Sequence, residues 1–218
     1  AETMRFSAVI WDFGGVVTSS PFEAFNRFEA ERGLPRDFIR GVNTANPDAN
    51  AWALFERAEI TPEAFDQRFA EESAARGHRV AGAEVLALLS GDIRPRVVAA
   101  LDAARAAGLK MGCITNNVPT GHGAGMASSA DMAKAVAAIM ARFDHVLESS
   151  KIGIRKPDPR IYALMCEALD VEPAACLFLD DLGINLKPAK AMGMATIKVV
   201  SEEQALADLS AATGLDLC

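Results

Sequence analysis

In the stretch VIWDFGGVVTS, residues 9–19, an apolar run typical of a buried strand leads directly into a loop with one carboxyl group and two glycines. Successive residues of an extended chain project to alternate faces, so position 12 and position 14 face the same space. An aspartate stands at position 12 and a glycine at position 14. If Asp12 has a chemical role, Gly14 therefore belongs to the same site.

Several short apolar runs have the length and hydrophobicity of strands buried on both faces. They are FSAVIW (6–11), KMGCIT (110–115), CLFLD (176–180) and ATIKVV (195–200), with HVLESS (145–150) as a candidate fifth strand. Two segments between them place apolar residues on one helical face: Met132, Val136, Ile139, Met140 and Phe143 in the first, and Ile161, Leu164, Met165 and Leu169 in the second. Strand and helix alternate from about residue 94 onward. This order predicts an α/β fold with a parallel sheet, helices on both faces, and ligands at the carboxyl ends of the strands.

Residues 19–92 interrupt this alternation, because they contain no convincing strand and several helical patterns. Phe22, Phe25 and Phe28 recur at helical spacing, and Thr61-Pro62-Glu63 has the chemistry of a helix start. Apolar residues at helical spacing normally face a core, so we expect these phenylalanines to pack internally and not to line a substrate site. The predicted organisation is an α/β core of residues 1–18 and 93–218 with an inserted helical unit at 19–92.

The composition is that of an ordinary globular protein, with 218 residues, 50% hydrophobic and 23% charged. A formal net charge of −7 without a lysine or arginine cluster argues against a nucleic-acid partner. The four cysteines show no CxxC spacing, which favours a reducing compartment. No run is long enough for a membrane helix, and the first residues lack the apolar region of a signal peptide. We therefore expect a soluble, cytoplasmic protein without a membrane partner.

Polar residues that a core would not favour follow the predicted strands. They are Asp12, the pair Thr115 and Asn116, Lys156 in IRKPDP, and the pair Asp180 and Asp181. Each alone has a structural explanation, as a helix cap, a turn or a loop entering a helix. Because the carboxyl ends of parallel strands converge on one crevice, all of them can meet although more than 160 positions separate the first from the last.

These residues lie in four motifs that resemble, in order, those of the haloacid dehalogenase-like hydrolase superfamily: DFGGV (12–16), ITNN (114–117), the lysine of RKPDP (155–159) and FLDD (178–181). The stretches VLESSKIGIRKPDPRIY (146–162) and FLDDLGINLKPAKAMGMATIKV (178–199) also resemble the amino-terminal phosphatase domain of soluble epoxide hydrolases. The resemblance implies a Rossmannoid three-layer core with a parallel sheet and identifies residues 19–92 as a helical cap domain over the crevice.

The resemblance also implies a role for each residue. Asp12 would be the nucleophile that forms an aspartyl-phosphate, while Thr115 and Asn116 bind the transferring oxygens and Lys156 neutralises the phosphate. Asp12, Asp180, Asp181 and the backbone carbonyl of Gly14 would bind Mg²⁺, which prefers oxygen ligands. Asn185, one helical turn after Asp181, would orient a metal-binding carboxylate. The implied substrate is a small phosphorylated metabolite.

Gly14 departs from the family pattern, since most of its phosphatases have a second aspartate there that protonates the leaving group. Loss of a general acid costs a factor of about 10² to 10⁴, and less when the leaving group is a weak base. We therefore favour a phosphatase of activated phosphate esters, or one that takes its acid from the cap or the substrate. Two alternatives stay open: a metal-independent 2-haloacid dehalogenase, which has no use for the Asp180-Asp181 pair, and a weakened phospho-ligand binding module.

The other candidate groups favour structural interpretations. His78, His122 and His145 lack the spacing of a zinc site, and His122 fits a solvated loop. GHGAG (121–125) lacks the GK[ST] ending of a phosphate-binding loop and is interpreted as a flexible connection. Tyr162 is spaced as a core position of its helix. The sequence leaves the oligomeric state open, a homodimer included.

Overall fold

The structure, a computed structural model, describes residues 5–119 and 130–218. Its centre is a five-stranded parallel sheet of order β3-β2-β1-β4-β5. The strands are β1 (Ala8–Trp11), β2 (Lys110–Thr115), β3 (His145–Glu148), β4 (Cys176–Asp180) and β5 (Ala195–Lys198). The five predicted runs all form strands, although three are shorter than expected: HVLESS turns into a helix at Ser149, β1 begins at Ala8, and β5 ends at Lys198. GHGAG and His122 lie outside the described residues.

The helices alternate with the strands after residue 94, as predicted. The bounds are α1 (Pro21–Arg32), α2 (Phe38–Thr44), α3 (Ala51–Glu56), α4 (Pro62–Ala75), α5 (Gly82–Leu86), α6 (Pro95–Ala106), α7 (Ala130–Met140), α8 (Ser149–Ile152), α9 (Pro159–Leu169), α10 (Gly183–Ala191) and α11 (Glu202–Thr213), with a 3-10 turn at Pro173–Ala175. No helix of residues 5–119 and 130–218 is long and apolar enough to cross a membrane.

Two apolar layers cover the two faces of the sheet, which makes the core a three-layer α/β structure. One layer packs α6, α7 and α11 against strand residues such as Val9 and Trp11. The other packs α9 and α10 against Ala8 and Ile10 of the same strand. Burial on both faces explains the continuous apolar runs of β1 and β4.

The face of α9 differs from the prediction at one position, since Leu164 is 39% exposed. The buried stripe of α9 runs through Ile161, Met165 and Leu169 and widens toward Tyr162 and Cys166. At 100° per residue Leu164 falls on the opposite side of Ile161 from this stripe. Leu164 was therefore wrongly placed in the core.

Residues 19–92, which we call the helical segment, contain α1 to α5 and a separate apolar cluster. Phe25 is buried in that cluster, and Phe22 and Phe28 pack against it, as the spacing predicted. The Thr61 hydroxyl accepts a hydrogen bond from the Ala64 N–H at the start of α4, which confirms the predicted helix start. That residues 19–92 form a domain of their own stays a prediction.

The two chain crossings into and out of the helical segment lie side by side. The Ser19 N–H donates to the Asp92 carbonyl (2.8 Å), and the Asp92 N–H donates to the Ser19 hydroxyl (2.9 Å). A Cβ on Gly91 would lie 2.8 Å from the Ser19 carbonyl oxygen, so a glycine is needed for this close approach.

Candidate active site

The ends of β2, β1 and β4 bring the predicted site residues together at the carboxyl edge of the sheet. Trp11 pairs with Cys113 on one side and with Leu179 on the other. Asp12 therefore leaves the sheet between the ends of β2 and β4, near Thr115 and Asp180. This position is the crevice in which α/β proteins bind ligands.

Lys156 lies at the centre of the site with its side chain 1% exposed. Its ammonium lies 2.9 Å from Asp12 Oδ1 and donates to Asp180 Oδ2 (2.8 Å) and to the Ile114 carbonyl (2.9 Å). Burial alone would lower the pKa of Lys156, but the two carboxylates outweigh burial and raise it. Lys156 is therefore a permanent cation with all three of its N–H donors occupied.

Asp12 is 7% exposed, and its carboxyl group faces the Lys156 ammonium. Its Oδ1 also accepts a hydrogen bond from the Phe13 N–H (2.8 Å). Burial and the nearby Asp180 raise the pKa of Asp12, and Lys156 opposes that rise. The Asp12 carboxyl thus lies where charge is costly unless cations surround it.

Asp180 and Asn185 form a fixed support behind this pair. Asp180 Oδ1 accepts from the Leu182 N–H (2.9 Å), and the Asn185 amide lies 3.3 Å from both Asp180 oxygens. Tyr162 in turn donates its hydroxyl hydrogen to the Asn185 carbonyl (2.5 Å). Asn185 thus contacts the Asp180 carboxylate. Tyr162 is fully buried at the core position that its spacing predicted.

Asp181 is the most accessible of the three acids, and its carboxylate lies against the Gly15 backbone. The Gly15 backbone has φ +89°, and a Cβ there would lie 2.4 Å from Asp181 Oδ2. Glycine is therefore required at position 15 for both conformation and space. Burial, reinforced by Asp180, raises the pKa of Asp181 to about 6.

One oxygen from each of Asp12, Asp180 and Asp181 lies within 4.8 Å of the others, the only such cluster of three metal-ligating side chains among the described residues. The donor set consists of carboxylate oxygens, which suit Mg²⁺. The raised pKa values of Asp12 and Asp181 reflect burial and mutual repulsion that a divalent cation would relieve. The residues therefore fit a magnesium ion.

The Asn116 side chain pairs with the backbone of Lys156. Its amide nitrogen donates to the Lys156 carbonyl (3.0 Å), and its amide oxygen accepts from the Lys156 N–H (2.8 Å). The Asn116 side chain thus holds the Lys156 backbone to the end of β2. The Thr115 hydroxyl and the Asn116 N–H make no hydrogen bond within residues 5–119 and 130–218 and are available to a ligand.

Gly14 borders open space, with no atom within 4 Å of an added Cβ, and its φ lies outside the left-handed region. A Cβ at this position would therefore meet neither backbone strain nor collision. Steric crowding therefore does not explain why position 14 lacks an acidic side chain.

Two supports of the site were not predicted from the sequence. Asn117 accepts from Ser150 and donates to Glu148 (3.0 Å), and its N–H donates to the buried Ser149 hydroxyl (2.9 Å). Arg94 donates to the Gly15 carbonyl (3.0 Å) and so holds the loop after β1. Asn117 could have been found as the second asparagine of ITNN, whereas no local sequence pattern indicated a role for Arg94.

The described histidines lie apart from this site. The His78 ring packs edge-on against Phe38, and His145 begins β3. Neither belongs to a cluster of metal-ligating side chains in the described part of the chain.

Comparison with known proteins identifies relatives over nearly the whole chain. Acyl-CoA dehydrogenase family member 10 and bifunctional epoxide hydrolase 2, both of Mus musculus, are 33% and 32% identical over 97% of this chain. This chain covers only 20% and 39% of their respective lengths, so it spans well under half of each. A phosphatase of Mycobacterium tuberculosis is 35% identical over 88% of this chain and 86% of its own.

Solved structures share the fold at lower identity. A Bacteroides thetaiotaomicron enzyme of the haloacid dehalogenase family, in complex with magnesium and inorganic phosphate, has a TM-score of 0.58 and 19% identity over 88% of this chain and 93% of its own. An L-2-haloacid dehalogenase of Xanthobacter autotrophicus has a TM-score of 0.57 and 22% identity over 95% and 83%. At 19% and 22% identity, these likenesses show the shared fold.

The family match extends over residues 6–193 and includes every motif described above. The resemblance to epoxide hydrolases that the sequence indicated is confirmed by the 32% identity. The chain belongs to the haloacid dehalogenase-like hydrolase family.

Proposed function

We propose that the protein is a Mg²⁺-dependent phosphatase that transfers a phosphoryl group to Asp12 and then to water. The observation that carries the proposal is the contact of the Lys156 ammonium with Asp12 (2.9 Å), beside a cluster of three carboxylates. Lys156 favours the ionised form of the buried Asp12 carboxyl and presents positive charge to a phosphate. The phosphatase relative that this chain covers over most of its length supports the same reaction class.

The residues around Asp12 have separate tasks in this reaction. The Asp12 carboxylate attacks phosphorus, and the bond to the leaving oxygen breaks as the aspartyl-phosphate forms. The Thr115 hydroxyl and the Asn116 N–H donate to the phosphoryl oxygens, where charge develops. Asn116 serves mainly by its side chain, which positions the backbone of Lys156.

Asp12, Asp181 and the Gly14 carbonyl would hold Mg²⁺, which screens the repulsion between an anionic nucleophile and an anionic substrate. Asp180 would take a smaller part in that binding than Asp12 and Asp181. Its two oxygens already accept hydrogen bonds from Lys156, Leu182 and Asn185. Its main task is to hold Lys156 in place.

The open space beside Gly14 restricts the substrates. Without an acid at this position, the leaving group departs unprotonated, or accepts a proton from the substrate or from the helical segment. Acyl phosphates, phosphoanhydrides and anomeric sugar phosphates have weakly basic leaving groups and suit such a site. We propose that the helical segment acts as the cap that selects among these small phosphorylated metabolites.

The carboxylate cluster argues against dehalogenation. A metal-free attack on carbon gives no use for Asp181, whose approach to the site requires a glycine at residue 15. Three buried or half-buried acids beside one lysine carry an excess negative charge, which favours a reaction that needs a divalent cation.

The test is a phosphate-release screen over acyl, sugar and alkyl phosphates, with Mg²⁺ and with chelator. We expect release from the activated esters, loss of release with chelator, and a loss of about a thousandfold or more in Asp12→Asn. Asp102→Asn, which removes one charge from an exposed ion pair with Arg142, is the control and should keep full activity. Release that survives both chelator and Asp12→Asn contradicts the proposal.

A further inference from the structure

Arg155, the residue before Lys156, reaches into the helical segment. Its Nη1 donates to Glu56 Oε1, and its Nη2 donates to the Pro47 carbonyl (2.9 Å). The two side chains of the ion pair are 15% and 5% exposed, although the residues are 99 positions apart. This pair is therefore a largely buried link between the helical segment and the chain that carries the central lysine.

Glu56, the partner of Arg155, is a buried carboxyl group whose charge Arg155 stabilises. Glu56 is the last residue of α3 and is itself 4% exposed. Burial raises the pKa of Glu56, and Arg155 opposes that rise. A Cβ on Gly153 would lie 4.0 Å from the Arg57 carbonyl oxygen, so the end of α3 also contacts the turn that leads to Arg155.

Lys156 is held from the opposite side by the sheet. Asn116 binds both its N–H (2.8 Å) and its carbonyl (3.0 Å), and its ammonium contacts Asp12 and Asp180. Consecutive residues are thus anchored to different parts of the molecule, Arg155 to the helical segment and Lys156 to the sheet. A shift of α3 away from the sheet must break the ion pair or displace the backbone at residue 155.

We propose that Arg155 is a positioning residue that, through Glu56, couples the seating of the helical segment to the placement of the Lys156 ammonium. This inference rests on the proposed function, in which Lys156 acts on the phosphoryl group. It goes beyond that function by making the lysine responsive to the helical segment. An exposed ion pair could not do this, because solvent-screened pairs contribute little.

The coupling is measured without turnover, by amide hydrogen exchange of Lys156 resolved by NMR. The variants are Glu56→Gln, which removes the charge and keeps the shape, and Arg155→Met. We expect exchange of the Lys156 N–H to accelerate about tenfold in both. Arg155→Lys keeps the charge but has fewer donors, so it should recover part of the protection. Asp102→Asn, in the exposed pair with Arg142, should leave Lys156 unchanged.

The kinetic test compares the change in kcat with the change in KM for hydrolysis of an acyl phosphate. Misplacement of Lys156 should lower kcat about tenfold in Glu56→Gln, with a smaller change in KM. Faster exchange in α3 but not at Lys156 would reduce the pair to an anchor of the helical segment and overturn the inference. An inactive wild-type protein with the expected exchange pattern would instead refute the proposed function alone.

Discussion

The Asp181 carboxylate occupies the space that a side chain on Gly15 would fill, since a Cβ there would lie 2.4 Å from Asp181 Oδ2. The relationship ties the loop after β1 to the acid after β4. It explains why two glycines follow Asp12, of which only the second is required by the backbone.

Gly15→Ala should displace Asp181 and impair magnesium binding. The substitution forces an L side chain into φ +89°, at a cost of about 1–3 kcal/mol, and collides with the carboxylate. We expect a lower melting temperature and a large loss of the stabilisation that Mg²⁺ gives to the wild type. Differential scanning calorimetry with and without Mg²⁺ measures both.

Gly33→Ala is the matched control for that substitution. Gly33 also has a positive φ, +65°, but nothing lies within 4 Å of an added Cβ. It should lose stability through backbone strain alone and keep the Mg²⁺ effect. If Gly15→Ala retains the full Mg²⁺ effect, Asp181 does not bind the ion from its present position.

Gly14→Asp should raise turnover most on alkyl phosphates, whose leaving groups are strong bases. An aspartate fits the open space at Gly14 and would supply the missing general acid, and we expect a gain of about tenfold to a hundredfold. The gain on acyl phosphates should be small, because their leaving groups need no proton. Steady-state kinetics on matched substrates measures the contrast.

Gly14→Asn separates acid catalysis from mere filling of the space. It has the same size as aspartate and cannot donate an acidic proton, so it should give no gain. Equal gains from both variants, or none from Gly14→Asp on any substrate, would show that proton donation at this position does not limit the rate.

Stabilisation by Mg²⁺ should increase with pH through about 6, the pKa of Asp181. This value is raised from 3.8, so as pH rises between the two values the unfolded chain releases the proton first and the metal-free fold loses stability. Above this window the folded carboxylate is ionised and repelled by Asp180, and bound Mg²⁺ offsets the repulsion. Thermal unfolding with and without Mg²⁺ at about pH 5 and about pH 7.5 tests whether stabilisation by Mg²⁺ increases with pH.

Asp181→Asn removes the titrating group and should flatten the dependence of the Mg²⁺ effect on pH. A wild-type Mg²⁺ effect that is equally large at both pH values would mean that Asp181 is already ionised in the metal-free protein, and would contradict the expected trend.

The strands and most helix faces were predictable because their signals are local. Apolar runs such as KMGCIT carry the burial on both faces that a central parallel strand requires, and β2 has the predicted bounds. The start of α4 at Thr61-Pro62 was equally local. The prediction for Leu164 was wrong because a residue three positions after Ile161 can lie on either edge of a wide apolar stripe. In α9 the buried stripe extends from Ile161 toward Tyr162 and Cys166, away from Leu164.

The polar groups that follow β1, β2 and β4 were predictable from the residues alone, since each follows an apolar run whose length sets where the strand ends. The division of tasks among the site residues depends on long-range packing: Asp180 faces Lys156, Asp181 lies against Gly15, and the Asn116 side chain binds the Lys156 backbone. Partners such as Glu56 and Arg155 are 99 residues apart, and short-range periodicity carries no information about contacts at that distance. They meet because α3 packs beside α8, which ends shortly before Arg155, and burial of both side chains leaves each charge the other as its counter-ion.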